Sequence, residues 1–504
     1  MSKRKQSEKG EKGNMNTLLN GMKNAANYKT TENGAVAVRS TGTALYDMFA
    51  LGGAYRSRSD EDCILLFKNA YMENPVYALK CLFYLRDVRG GQGERRFFRV
   101  CMKWLATFDT AAAKRNLELV SEYGRWDDLY LFVDTPLEAQ MFASLKKQLA
   151  LDVQSKTPSL LAKWLKSENT SSAKSRTLGF KTRKAFGMTP RQYRKTLSIL
   201  RQRINVLERL MSAGQWDLIE FDKIPSKAGM VYRNAFARRD IIKAKYESFA
   251  KDTTTKVNAK TLYPYEVVKE AYSCYGSLDD TNRLMINKYW ENLTDYFNKS
   301  SLNALAVVDT SGSMTWGSAN IKPIDVAISL GMYCAERASG PFTGHYISFS
   351  SRPQLIEVKG VDFVDKVKRI YQTNLCENTN LVGTFDMILQ TALTNRCSQA
   401  DLPKNIIVIS DMEIDAARSY YGDRNPIETT MERVRKQWAA AGYEMPHLIY
   451  WNVAARNDTI LDRGPNVSLV SGASPAIFQQ IMTGKTGMDL MYEALDSDRY
   501  AAIQ

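Results

Sequence analysis

The sequence predicts a multi-domain α plus α/β chain, a helical half followed by a doubly wound, Rossmann-like α/β domain. Three observations point there. The 504 residues exceed what one hydrophobic core serves. Between residues 40 and 299 apolar residues recur at helical spacing, with no strand pattern. From Ser301 onward β-branched apolar runs alternate with amphipathic segments, the pattern of a mainly parallel sheet.

The first stretch, residues 1–39, opens MSKRKQSEKGEKG. It is basic and polar with no apolar run behind it, so it reads as a flexible solvated tail, neither secretory signal nor anchor. The helical half, 40–299, follows with runs such as VYALKCLFYL, RRFFRVCMKWLATF and YRKTLSILRQRINVLERLM. Turn chemistry separates them: Asn74-Pro75, Gly90-Gly91-Gln92-Gly93, Gly124 and Thr189-Pro190. Short helices joined this way suggest stacked helical pairs of the solenoid kind. The α/β domain, 300–504, carries the strand candidates ALAVVDT, HYISFS, NIIVISD, HLIYWNVAA and SLVSG.

Composition narrows the function classes. No apolar run is long enough to cross a bilayer, so no membrane partner is expected. Seven dispersed cysteines without a Cys-x-x-Cys pair suggest reduced, buried thiols and a cytoplasmic protein. His345 and His447 are the only histidines, which disfavours zinc and leaves a hard, oxygen-bound cation as the metal to look for. Net charge is +15, and its placement is uneven. Val153–Leu207 holds thirteen Lys and Arg against the single acid Glu168, a net +12. Such a segment attracts polyanions in a salt-dependent way, although basic segments are often merely solvated.

In open α/β sheets ligands sit at the carboxyl ends of strands, and three loops there carry oxygen ligands. Asp309-Thr310-Ser311-Gly312-Ser313 follows ALAVV, so alternate side chains can turn to one point. Glu377-Asn378-Thr379-Asn380 offers the Thr379 hydroxyl, and IIVIS delivers Asp411. Two carboxylates (Asp309, Asp411) and three hydroxyls (Ser311, Ser313, Thr379) suit Mg2+, or another divalent ion such as Mn2+, with retained waters. Singly, each of these residues is more often a turn or helix cap. Their coincidence at three strand ends makes the case.

VVDTSGSM, with NTNL and IIVISD downstream, resembles the metal-ion-dependent adhesion site of von Willebrand A domains. That resemblance implies that Asp309, Ser311, Ser313, Thr379 and Asp411 bind the metal. In the helical half, YLRDVRGGQGERRFF, EYGRWDDLY, the run from Tyr193 to Phe236 and LYPYEVV resemble a domain-of-unknown-function family related to the TROVE module of the Ro autoantigen. The likeness implies HEAT-like, TROVE-like repeats with a von Willebrand A domain behind them. It also implies RNA as ligand, either small structured non-coding RNA or single-stranded ends.

Two basic patches are candidate RNA contacts. Arg86, Arg89, Arg95 and Arg96 surround a glycine-rich turn, where arginine could reach phosphate in bidentate fashion. Pairing with Asp87 and Glu94 is the plainer alternative. Lys181, Arg183, Lys184, Arg191, Arg194 and Lys195 interleave with Phe180, Phe186 and Tyr193, a mixture suited to single strands. Phe186 and Tyr193 could equally be core. Trp126-Asp127-Asp128 reads as structural.

The leading expectation is therefore a non-catalytic RNA-binding protein with a divalent-metal site. The rival is an adaptor whose metal captures an acidic side chain of a protein partner. An enzyme is disfavoured, because no phosphate-cradling Gly-Lys-Ser/Thr loop is present and neither histidine lies near the motif loops.

Overall fold

The computed structural model of the chain describes residues 22, 26–273, 278–297, 302–316, 321–349, 352–373, 379–415 and 429–504. Cys274, Cys376 and the Glu377-Asn378 part of the second loop lie outside them. Cys63, Cys81, Cys101 and Cys334 are buried free thiols, as expected for reduced cysteines. Burial pushes the Cys63 thiol up to about 11, which keeps it protonated and unreactive.

The turn signals of the helical half do what their chemistry predicts. Asn74 caps the helix Pro75–Arg86 by accepting from Tyr77 N at 3.2 Å, with Pro75 at the first position, where its missing N–H is no loss. Thr189 and Gln192 form a reciprocal capping box at the start of the helix Pro190–Arg203. Gly187, at φ +71°, ends the preceding helix Ala173–Phe186 in the left-handed conformation. These two helices make up most of the strongly basic segment.

The chain differs from the expected tail at its amino end. A hairpin of β1 (Tyr28–Thr30) and β2 (Val36–Val38) is pinned to the α/β domain. Val38 bridges to Ile460 and Gly34 to Asp415, and Thr31 Oγ1 donates to Ile414 O at 2.7 Å. The hydrophobic face of this short segment (Ala35, Ala37 and Val38) is buried, so residues from Tyr28 onward belong to the folded body. Its brevity hid it, because three-residue strands carry almost no periodicity.

The carboxyl half forms one six-stranded sheet. β3 (Ala304–Asp309), β4 (His345–Phe349), β5 (Gln354–Glu357), β6 (Asn405–Ser410), β7 (His447–Asn452) and β8 (Val467–Ser471) lie in the order β5-β4-β3-β6-β7-β8. All pairs are parallel except β4 with the edge strand β5. β3 and β6 are buried along nearly their whole length, which explains their unbroken apolar sequence. β5 was not foreseen, because three of its four residues are exposed and no apolar run marks it. The chain runs from β3 outward to β4 on one side and then returns to β6 on the other. That reversal is the topological switch point, where such sheets hold ligands. The helix Pro323–Arg337 lies close on β3: a Cβ at Gly331 would stand 2.4 Å from Val308 Cγ2, so only glycine permits the approach.

The glycine-rich turn of the helical half joins the two halves. A Cβ on Gly91 would be 2.0 Å from Tyr84 O, so the turn folds tightly on its own helix. Asp87, wholly buried, accepts both forks of Arg499, and Tyr500 Oη donates to it at 3.1 Å. Asn116 Oδ1 accepts from Gln504 N at 3.0 Å, so the last residues of the chain thread onto the helical half. The ion pair is partly open at Arg499, which moderates its worth, yet removing one partner strands a buried carboxylate. Arg499→Ala should therefore lower unfolding stability by about 2 kcal/mol or more, read as a reduced urea midpoint. An unchanged midpoint would remove the clasp from the account of the fold.

Candidate metal centre

Asp309 ends β3 and Asp411 lies one residue past β6, so the two carboxylates flank the switch point. Both are buried. Asp309 Oδ1 accepts from Ser311 N at 2.9 Å and Oδ2 accepts from Ser410 Oγ at 2.6 Å. Ser311 Oγ and Ser313 Oγ are 3.0 Å apart, and the Ser313 side chain lies near enough to Asp411 to favour its charged form. Asp411 Oδ1 accepts from Glu413 N at 3.1 Å, in a turn that sends Met412 to φ +66°. Three of the five predicted ligands, Asp309, Ser311 and Ser313, are thus linked directly, and Asp411 stands beside them. Thr379 is buried too, and its carbonyl accepts from Asp415 N at 2.9 Å, which sets its loop against the loop of Asp411.

Electrostatics marks the place. Burial, and next the Asp411 carboxylate, push Asp309 up to about 7. Burial likewise raises Asp411. Two like charges sharing a buried site disfavour each other, and a cation between them would relieve both. Asp411 Oδ2 is moreover buried without a hydrogen-bond partner. Its nearest counter-charge is Arg456 Nε at 3.3 Å, an ion pair without hydrogen-bond alignment. An orphaned carboxylate oxygen, a second buried carboxylate and three hydroxyl residues fit a hard divalent ion. Asp309, Ser311, Ser313, Thr379 and Asp411 would hold it, and the ion would supply an electrophilic point for an incoming anion. No cluster of three His, Cys, Asp or Glu side chains suited to a metal occurs among the described residues, so the candidate set depends on its hydroxyls.

Sequence reasoning missed three contributors. Ser410 bridges Asp309 and Met412 N, and Arg456 supplies the nearby cation. Glu413, fully buried, accepts from Glu32 N at 2.7 Å and Thr459 Oγ1 at 2.9 Å, so the amino-terminal hairpin braces the metal loop. Glu32 also holds Arg456, at 2.9 Å. A cleft of about 220 Å3 opens beside Ser313 and Asp411, walled by Arg56 and Ser57 of the helical half and by Arg456. Trp316 at its mouth is 80% exposed.

The first basic patch is corrected by its contacts. Arg86 is buried and donates to Asp128 Oδ2 at 2.7 and 3.0 Å. Arg95 bridges Asp127 and Asp128, and Arg96 pairs with Asp60. Only Arg89 is exposed, with its guanidinium donating to Glu122 O. The patch is therefore an ion-pair core, with acids other than Asp87 and Glu94 as partners, and Trp126-Asp127-Asp128 is structural as expected.

The second patch divides. Lys181 pairs with Asp134 and Glu138, and Arg183 with Glu168. Phe186 and Tyr193 are core, packed edge-on with ring centroids 6.2 Å apart, whereas Phe180 is half-exposed under Arg183. Lys184, Arg191, Arg194 and Lys195 are exposed and pair with no acid among the described residues. They flank the Gly187 corner between two helices.

Mg2+ titrated into the protein should raise its melting temperature by several degrees through preferential binding to the folded state, and Asp309→Ala should abolish the rise. Arg456→Ala, which removes a positive charge beside Asp411, should tighten Mg2+ binding about tenfold by calorimetry. A weakened affinity in that variant would contradict the competing role of the guanidinium.

Residues 31–184 and 150–302 match the family model of the domain of unknown function DUF2828, and residues 303–500 match that of DUF7788. An uncharacterized protein of Acanthamoeba polyphaga mimivirus is 31% identical over 505 residues, spanning 91% of this chain and 85% of the viral protein. The crystal structure of the Ro (RSR) protein of Deinococcus radiodurans is similar at a TM-score of 0.33 and 12% identity, over 93% of this chain and 96% of that one. A likeness that distant carries neither fold nor function across.

Proposed function

This chain belongs to the family defined by the domains of unknown function DUF2828 and DUF7788, and from that premise we propose that it is a non-catalytic RNA-binding protein with a divalent-cation site. The observation that carries the reading is the Gly187 corner. Lys184, Arg191, Arg194 and Lys195 stand exposed within twelve residues, on two helices, with no acid paired to them among the described residues. Cations left unpaired on a rigid corner release counterions when they meet phosphates. The exposed ring of Phe180 on the first of these helices adds a stacking surface.

The cation site, in this reading, is a second point of capture. Mg2+ or Mn2+ on Asp309, Ser311, Ser313, Thr379 and Asp411 would offer a replaceable water to an anionic oxygen. Neither histidine stands at the candidate metal loops. His345 begins β4 and His447 begins β7, at the amino ends of the strands, opposite the candidate metal loops. His447 is further committed, with its ring nitrogens 3.2 Å from Asn405 Oδ1 and 2.9 Å from Ser468 Oγ. No helix of the described residues is long and apolar enough to cross a membrane.

One observation favours the rival adaptor reading. The exposed Trp316 and the arginines around the cleft would suit an acidic side chain of a protein partner. What the Asp309→Ala protein loses separates the two: a protein partner in pull-downs for the adaptor, RNA for the RNA-binding protein.

Filter binding to a small structured RNA should show affinity falling steeply with salt. Lys184→Ala, Arg191→Ala and Lys195→Ala combined should reduce the slope of log affinity against log salt by roughly 2 to 3. Weak binding at low salt, or a slope unmoved by the triple variant, would refute the RNA reading at this corner.

A further inference from the structure

Residues 453–459, the loop that follows β7, touch three parts of the molecule at once. At the candidate cation site, Arg456 Nε stands 3.3 Å from the Asp411 oxygen that lacks a hydrogen bond, and Val453 N donates to Ser410 O at 3.0 Å. On the amino-terminal hairpin, Arg456 Nη1 pairs with Glu32 at 2.9 Å, and Asn457 Nδ2 donates to Glu32 Oε1 at 2.8 Å. On the helical half the loop meets the short 3-10 turn Gly52–Ser57. Ala455 N donates to Ala54 O at 3.1 Å, and Arg58, just past the turn, donates to Arg456 O at 2.8 Å. Asp458 completes the grip: it accepts from the Tyr55 hydroxyl and pairs with Arg58 at 3.2 Å. That turn is itself fastened to the helix Arg95–Phe108. Tyr55 packs edge-on against Phe97, and Arg56 pairs at 3.0 Å with Glu94, which caps the helix.

Charge decides what an arriving ion would do to this loop. The Arg456 guanidinium lies between the carboxylates of Asp411 and Glu32. A divalent ion on Asp411 would repel it at short range, which leaves Glu32 as the unopposed attraction. The same ion would steady the Asp411 turn, and Glu413 in that turn accepts from Asn457 Nδ2 and Thr459 Oγ1 at 3.2 and 2.9 Å. Both effects hold the loop more firmly. Exposed ion pairs alone would transmit little of this. Here main-chain bonds, a tyrosine hydroxyl and an ion pair act together on one short segment. We propose that residues 453–459 are a coupling loop, through which a cation at Asp411 tightens the hold of the α/β domain on the helical half. This coupling rests on the cation reading above, and Asp458 is its link to the Gly52–Ser57 turn, remote from the ion.

Hydrogen exchange of the full-length protein with and without saturating Mg2+, alongside calorimetry of Mg2+ binding, tests it. With the ion, the amides of residues 28–38 and 52–58 should exchange about threefold more slowly or better. Those of the distant helix Pro190–Arg203 should be unmoved, which separates a local tightening from a general rise in stability. Asp458→Ala and Tyr55→Phe each weaken the hold of the loop on the turn and leave the ion site intact. Both should bind Mg2+ within about twofold of the unaltered protein, lose the response at 52–58 and keep the response at 28–38. Mg2+ binding with unchanged exchange at 52–58 would overturn the coupling and leave the cation site standing. A response spread evenly over the chain, or one that survives in both variants, would overturn it in the same way. A protein that binds no Mg2+ would lose the cation site and the coupling together.

Discussion

Two carboxylates buried at one end of a parallel sheet set the terms for the α/β domain. Asp309 and Asp411 arrive there because β3 and β6 are neighbours at the switch point, and burial raises both above their ordinary range. Like charges withdrawn from water repel strongly unless something offsets them. The structure offsets them piece by piece, with Ser410 Oγ and Ser311 N on Asp309, and with Glu413 N and Arg456 on Asp411. One oxygen, Asp411 Oδ2, is still left without a hydrogen bond. That residue of imbalance gives the candidate cation site its physical content.

How far the sequence revealed this depends on distance along the chain. Asp309, Ser311 and Ser313 were legible because a strand, its terminal acid and the turn after it are adjacent in sequence. Asp411 was legible for the same reason. Arg456 was not, because it follows β7 and only tertiary packing brings it to Asp411. Glu32 was further still from view, in a stretch whose composition reads as solvated tail. β1 and β2 are too short for a pattern, and they are held by cross-chain contacts with Ile460, Ile414 and Asp415 rather than by their own propensity.

The arginine-glycine turn illustrates the opposite error. Its charges, read locally, suggested either phosphate or the neighbouring acids Asp87 and Glu94. The fold instead pairs Arg86 and Arg95 with Asp127 and Asp128, gives Asp87 to Arg499, and gives Glu94 to Arg56. Each local cation and each local acid found a remote partner. Glycine was correctly read as permitting close approach, but what approaches Gly91 is the carbonyl of Tyr84. Net charge is a property of sequence, whereas available charge is a property of packing. Of the ten cations singled out, Arg89, Lys184, Arg191, Arg194 and Lys195 are both exposed and free of acids among the described residues.

If the candidate site takes an ion as proposed, the amino-terminal hairpin and that site would share one equilibrium. Glu32 holds Arg456 at 2.9 Å, and Arg456 stands 3.3 Å from the Asp411 oxygen that a divalent ion would need. An ion arriving at Asp411 must either share that carboxylate with the guanidinium or displace it toward Glu32. Whatever steadies Arg456 on Glu32 would therefore favour the proposed ion, and whatever leaves Arg456 to Asp411 would oppose it. Linkage makes the effect reciprocal: an ion that binds better with the hairpin docked must tighten the docking by the same factor. Glu32 N donates to the Glu413 carboxylate and Asn33 Nδ2 to the Glu413 carbonyl, 2.7 Å each, which puts the hairpin on the very loop that carries Asp411, so any such coupling would pass through two residues rather than through the whole domain.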